Sequence, residues 1–213
     1  MVNAFASVEG KGDASYFGGG VLGRYDVTEG ALSGFYAEAS ARIGRAETDF
    51  RTSDIRYNGW NVNFESSSMY CGLHLGIGYV WKATEKASID FSAKILWTGL
   101  EGDELTVYQD RVDFKDSDSL RARLGGRFVF AANQNVSMYV GAYWEHEFDG
   151  EAQATVNGHR LSPPSLRGDT GIGEFGLSVM PSLALPVSFD LGVQGYTGKR
   201  EGISGNIRMS LAF

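Results

Sequence analysis

The 213 residues hold one cysteine and four prolines, and no long hydrophobic run. With Cys71 alone, neither a disulfide nor a cysteine-based zinc cluster can form within the chain, and a lone cysteine on an apolar face reads as a small hydrophobe. No segment approaches the roughly 18 uncharged apolar residues that a transmembrane helix needs. Basic charge is also short. The net charge is -7 and the isoelectric point lies near 5.0, so a phosphate-binding stripe, and with it a nucleic-acid partner, is not expected. What is abundant is glycine, at 29 residues, together with 13% aromatics. Glycine at this level without proline argues against both disorder and collagen, and fits short periodic strands.

Period two runs through almost the whole sequence. Ile203, Gly205, Ile207, Met209, Leu211 and Phe213 alternate with Ser204, Asn206, Arg208, Ser210 and Ala212. Val187, Phe189, Leu191 and Val193 alternate with Ser188, Asp190, Gly192 and Gln194, and Phe175, Leu177 and Val179 with Glu174, Gly176 and Ser178. The same holds for Val136–Trp144 against Ser137, Tyr139, Tyr143 and Glu145, and for Leu120, Ala122, Leu124, Phe128 and Phe130 against Arg121, Arg123 and Arg127. Upstream, Ile89–Trp97, Leu73–Trp81 and Phe35–Ile43 repeat the pattern, with Glu38 and Arg42 on the polar side of the last. Weaker segments near residues 2–9 and 15–27 complete a set of about ten strands. None carries a charge on its apolar face. One all-β domain over 1–213 is expected, an antiparallel up-and-down barrel.

Alternation alone leaves two arrangements open: a soluble barrel with apolar side chains inside, or a spanning barrel with them outside. Three features favour the second. The polar set is poor in lysine and rich in Gly, Ser and Tyr, which suits a crowded lumen. Long charged connections at 46–66, 99–118 and 149–169 alternate with tight joins at 28–33, 82–86, 131–135 and 181–186, as in outer-membrane barrels with external loops and periplasmic turns. Aromatics collect at two levels: Tyr79, Trp81, Phe128 and Phe130 next to the tight joins, and Trp97 and Trp144 towards the long connections, where two membrane interfaces would hold them. Unpaired backbone groups cost several kcal/mol in hydrocarbon, so such a sheet is expected to close, with an even strand count. Lipid is then an expected partner. Residues 1–9 lack the basic and apolar regions of a signal peptide, so a leader is expected to have been removed or to lie in a longer precursor.

Arg121, Arg123 and Arg127 fall on one polar row, with Arg42 and Arg208 on other strands and Glu38, Glu145, Glu174 and Asp190 as acidic counterparts. Such a lining could tune what passes through a pore, or the charges could simply neutralise one another; pairing is the simpler reading. His74, His146 and His159 lack the spacing of a metal site. No nucleophile elbow is present, and Gly18-Gly19-Gly20 is followed by no Lys-Ser/Thr. Catalysis, cofactors and metals are not expected.

From about residue 118 onward the chain resembles the translocator domain of autotransporters, the type V secretion proteins. The resemblance rests on Leu120-Arg-Ala-Arg-Leu-Gly-Gly-Arg-Phe128, on Met138-Tyr-Val-Gly-Ala-Tyr-Trp-Glu-His-Glu-Phe-Asp-Gly150 and on the terminal Met209-Ser-Leu-Ala-Phe213, with Gly34-Phe-Tyr-Ala-Glu-Ala-Ser-Ala-Arg-Ile-Gly44 similar to a mid-barrel strand. It implies a Gram-negative outer-membrane location, folding by the outer-membrane assembly machinery, and help for a covalently attached N-terminal passenger to reach the surface. It also implies that Ile207, Met209, Leu211 and Phe213 form the C-terminal insertion signal. Family barrels have twelve strands and a helix in the lumen; about ten strands and no helical period are found here, so Met1 is expected to start inside the barrel. The alternative is a stand-alone outer-membrane barrel whose loops act as adhesin or surface-binding elements.

Overall fold

The computed structural model describes residues 11–57, 60–107, 110–151, 153–161, 165–181 and 187–211. Its strands in chain order are β1 (Lys11–Asp26), β2 (Phe35–Tyr57), β3 (Trp60–Lys82), β4 (Ala87–Leu100), β5 (Glu104–Val107), β6 (Asp110–Phe114), β7 (Ser117–Ala131), β8 (Val136–Glu147), β9 (Ala154–Val156), β10 (His159–Leu161), β11 (Gly168–Val179), β12 (Val187–Gly198) and β13 (Gly202–Leu211). Nine of them make one antiparallel sheet in the order β1-β2-β3-β4-β7-β8-β11-β12-β13; β10-β9-β6-β5 make a second. Leaving aside the inserted β5, β6, β9 and β10, strands adjacent in the main sheet are successive along the chain, an up-and-down antiparallel order.

The tight joins have local causes. Thr84 Oγ1 accepts the N–H groups of Lys86 and Ala87, and Asn133 Oδ1 accepts those of Asn135 and Val136. These side chains satisfy the turn backbone where the ladder stops. On β4, 14 residues rising about 3.3 Å each at a tilt near 40° lift the chain about 35 Å, which is enough to cross a hydrocarbon layer of about 25 Å.

Two expectations need correction. First, the expected closure is not made by the described residues: the main sheet has nine strands, and β1 and β13 are edges that do not pair with each other. The weak segment at 2–9, all but the first residue of the join at 181–186, and Phe213 lie outside the described residues. Second, the long connections are not irregular loops. β2 and β3 run on through most of 46–66 as a paired hairpin, and 99–118 and 149–169 supply β5, β6, β9 and β10. Alternation concealed them because these segments carry no sustained apolar stripe.

In the main sheet the usual relation of polarity to burial is reversed. Apolar side chains of one face are open: Leu75 is 64% exposed, Ile77 65% and Phe175 61%. On the other face Glu145 is 1% exposed, Tyr36 4% and Glu174 6%. The sheet therefore curls around its polar face.

Candidate functional site: the polar wall and its rims

Large polar side chains lie flat along this wall, over glycines directly opposite on the next strand. Tyr36 pairs in register with Gly78, and a Cβ there would sit 2.3 Å from Tyr36 Cζ; at Gly176, opposite Tyr139, it would sit 2.2 Å from Tyr139 Cζ. Only glycine admits this approach. The glycine excess of the sequence is in part a record of where tyrosines fold down.

Many of the charged side chains on this face stand in pairs. Arg123 donates to Glu145 Oε2 from Nε (2.9 Å) and Nη2 (2.6 Å). Arg200, in the turn before β13, donates to Glu145 Oε1 at 2.5 Å. Arg127 donates to Glu174 from Nε (2.6 Å) and Nη2 (3.1 Å), and Glu174 also accepts from Tyr143 (2.7 Å) and Gln194 (3.2 Å). Glu38 lies 2.6 Å from Lys94 Nζ and 3.1 Å from His74 Nε2. Arg42 donates instead to the Thr98 hydroxyl at 3.2 Å. Asp190 and Arg208 stand opposite each other in register, without an ion pair among the described residues. Arg121 comes no closer than 3.7 Å to a carboxylate. Buried charges must be paired or hydrogen-bonded, and most of these are.

Lys94 and Arg200 were not singled out in the sequence, and His74 and Glu147 were not counted among the lumen charges. Glu147 continues the alternation of Glu145 and could have been read from it. Arg200 sits in a turn, where no period reveals a facing.

The aromatic residues stand at the two ends of the open face. Phe35 and Tyr79 stack at 4.8 Å between ring centroids, and Tyr79 pairs with Phe91, Trp81 with Ile89, and Ile89 with Phe128; Phe130 pairs with Ala87. At the other end each tryptophan donates its indole N–H to an aspartate on the next strand: Trp97 to Asp118 (3.1 Å) and Trp144 to Asp169 (3.0 Å). Both pairs are the same diagonal, since Trp97 stands opposite Leu120 and Trp144 opposite Gly171. His146 Nδ1 is 2.8 Å from the same Asp169 oxygen, packed between Trp144 and Phe148.

Beyond this rim, β6 pairs with β9 and joins two separate connections into one sheet. Asp103 ties it to β3: its Oδ2 accepts from Ser66 Oγ (2.7 Å) and the Ser67 N–H (3.2 Å). Those hydrogen bonds hold the Asp103 carboxyl below its ordinary range. At the tip between β9 and β10, Asn157 and Gly158 both have positive φ (50° and 81°), the Asn-Gly hairpin geometry. Among the described residues no cluster could hold a metal ion.

An antiparallel sheet with an apolar outer face and a charge-paired inner face is the wall of a membrane β-barrel. The sequence model of the Autotransporter beta-domain family matches residues 3–192, and the chain belongs to that family, within the type V secretion class. Among curated proteins, the Pertactin autotransporter of Bordetella parapertussis is 26% identical over 182 residues, taking in 76% of this chain and 20% of that protein. The chain therefore spans about a fifth of the length of that relative. Among solved structures, the transport unit of the autotransporter AIDA-I from Escherichia coli superposes with a TM-score of 0.65 at 15% identity, covering 96% of this chain and 68% of that one. The beta domain of the Bordetella autotransporter BrkA gives 0.65 at 16%, covering 93% and 72%. These two likenesses show the fold.

Proposed function

We propose that the chain is an outer-membrane translocator barrel that helps a covalently attached N-terminal passenger reach the cell surface. The observation that carries this reading is the reversed burial: aliphatic side chains outward, paired charges inward. Outside a membrane, an apolar face of this extent would be an aggregation surface; in lipid it is the stabilised state. The polar wall, with its tyrosines folded down, is suited to surround a hydrated polypeptide.

The single barrel domain takes in the whole chain. Tyr79, Trp81, Phe128 and Phe130 mark the periplasmic interface, and Trp97 and Trp144 the external one, where the capping aspartates reach headgroups. The paired charges on Glu38, Arg123, Arg127, Glu145 and Glu174 line the lumen, with Arg42, Arg121, Asp190 and Arg208 beside them. Ile207, Met209, Leu211 and Phe213 form the segment that the assembly machinery reads. No residue is assigned to catalysis or to a cofactor.

A reporter fused ahead of residue 1, behind a signal peptide, tests the reading. Protease should remove it from intact cells whenever the barrel is inserted; an inserted barrel with its reporter held in the periplasm would overturn it. One feature favours the second reading, a barrel with surface-binding loops: the external sheet is built from two connections locked together, as a recognition platform would be.

A further inference from the structure

The open face of β1, β2 and β3 changes character from one row of the register to the next. Val21, Ala41 and Leu73 stand side by side, then Gly19, Ile43 and Cys71, then Phe17, Arg45 and Met69, then Ser15, Glu47 and Ser67. The first two rows are apolar and the last is polar. Arg45 is thus the first charge that β2 places on this face beyond the apolar stripe Phe35–Ile43. On either side of it in register are open apolar side chains, Phe17 at 86% exposure and Met69 at 50%.

Arg45 has one partner. Its Nε donates to Ser67 Oγ, in the polar row, at 2.6 Å. Although Glu47 stands two residues on, Arg45 makes no ion pair among the described residues. A guanidinium carries five N–H donors in a planar fork, so those on its two terminal nitrogens stay available. On the apolar side of Arg45, Gly19 leaves a gap in the stripe, since a Cβ there would meet nothing within 4 Å. The gap is a hollow of about 450 Å³ walled by Phe17, Ile43 and Met69, with Arg45 at its edge.

We propose that Arg45 and this hollow bind one lipid of the outer leaflet, with its phosphorylated headgroup on the guanidinium and an acyl chain along Gly19 and Ile43. A phosphate matches the arginine fork in two parallel hydrogen bonds, and a chain lying in the hollow gives its walls the contacts that the missing side chain does not. The cation lies where the apolar rows give way to the polar one, so headgroup and tail meet their counterparts in the order in which a bilayer presents them. The side of the membrane rests on the reading above, in which β2 runs from a periplasmic turn to an external hairpin. The site itself follows from the register of Phe17, Arg45 and Met69 and from the gap at Gly19.

The test uses the full chain refolded in detergent, so that no lipid is carried over, with lipid A as probe and native mass spectrometry as readout. One lipid A per chain is expected to stay bound, and its dephosphorylated form is not. Arg45→Gln should weaken retention at least tenfold, and Arg45→Lys, which keeps the charge but loses the fork, by an intermediate factor. Gly19→Leu fills the hollow with Arg45 intact and should weaken it at least fivefold. Gly173→Leu, on the same face of β11 where a Cβ also meets nothing within 4 Å, should change retention less than twofold. Arg45 gives the fold a single side-chain hydrogen bond and Gly19 has open space beside it, so each variant should keep the β-sheet circular dichroism of the parent. Failure of the parent to retain lipid A, or equal retention by the parent and the Arg45→Gln chain, would overturn the proposal. Normal retention by the Gly19→Leu chain would overturn the acyl contact, and displacement by inorganic phosphate at the same concentration would overturn the lipid in favour of a free anion. No passenger takes part, so failure here leaves the export reading standing, whereas loss of export in cells with normal lipid retention would count against that reading alone.

Discussion

Arg127 on β7 reaches across β8 to Glu174 on β11, and Gly141 of the intervening strand lies directly beneath the carboxylate. A Cβ at Gly141 would stand 2.5 Å from Glu174 Oε1 and 2.7 Å from its Cγ. Glu174 cannot move aside freely, because Arg127, Tyr143 and Gln194 all hold it. Gly141→Ala is expected to destabilise the barrel by about 1–3 kcal/mol, the usual cost of overpacking. Gly173→Ala should change little, since a Cβ there meets nothing within 4 Å. Urea unfolding from lipid vesicles checks both; equal shifts for the two variants would refute the packing argument.

The facing of the strands gives a second contrast. Leu124 and Ile95 are each 49% exposed on the apolar face, and arginine at either should cost about 2–4 kcal/mol near the bilayer midplane. Ser92 lies on the polar face, paired with Gly125. Ser92→Arg should cost much less in the same vesicle assay, and similar penalties at all three positions would contradict the orientation.

The facing was readable from the sequence at these positions because lipid imposes a strict period of two. The alternation of Leu120–Phe130 with Arg121, Arg123 and Arg127 specified which side chains share a wall. Other features escaped for physical reasons. Outside the hydrocarbon the period relaxes, so the extension of β2 and β3 and the pairing of β6 with β9 left no stripe to follow. Which glutamate each arginine takes depends on third parties such as Ser119 and Arg200, and no spacing encodes that choice.

The tie between Asp103 and β3 depends on pH. The folded carboxyl titrates below its unfolded value of about 3.9, so the stabilisation is fully present above that value and is lost as pH falls through the lowered folded one. The protection factor of the Ser67 amide, the exchange rate of the unfolded amide over its own at the same pH, should therefore hold at neutral pH and fall only below about pH 4. Asp103→Asn should lower the protection above about pH 4 and change it little below. An amide indifferent to the substitution would show that the Asp103 carboxylate does not anchor the hairpin.

The proposed C-terminal insertion signal includes Phe213, and its deletion separates two effects. One terminal ring contributes about 1–3 kcal/mol of burial, which a folded barrel can lose without unfolding. Deleting Phe213 is expected to lower outer-membrane insertion sharply in cells while leaving the purified chain able to refold in detergent. Normal surface levels would count against the insertion-signal role; failure in both settings would make the residue chiefly structural.

Whether the chain spans the outer membrane with its second sheet outside is tested most directly by cysteine labelling on intact cells. In a Cys71→Ser background, His159→Cys places a thiol on exposed β10, and Gln134→Cys places one in the β7–β8 turn. A bulky, membrane-impermeant polyethylene glycol maleimide should label the His159→Cys variant on intact cells and the Gln134→Cys variant only after the outer membrane is permeabilised. Labelling of the Gln134→Cys variant alone on intact cells, or of neither variant until permeabilisation, would contradict the membrane topology on which the export reading stands.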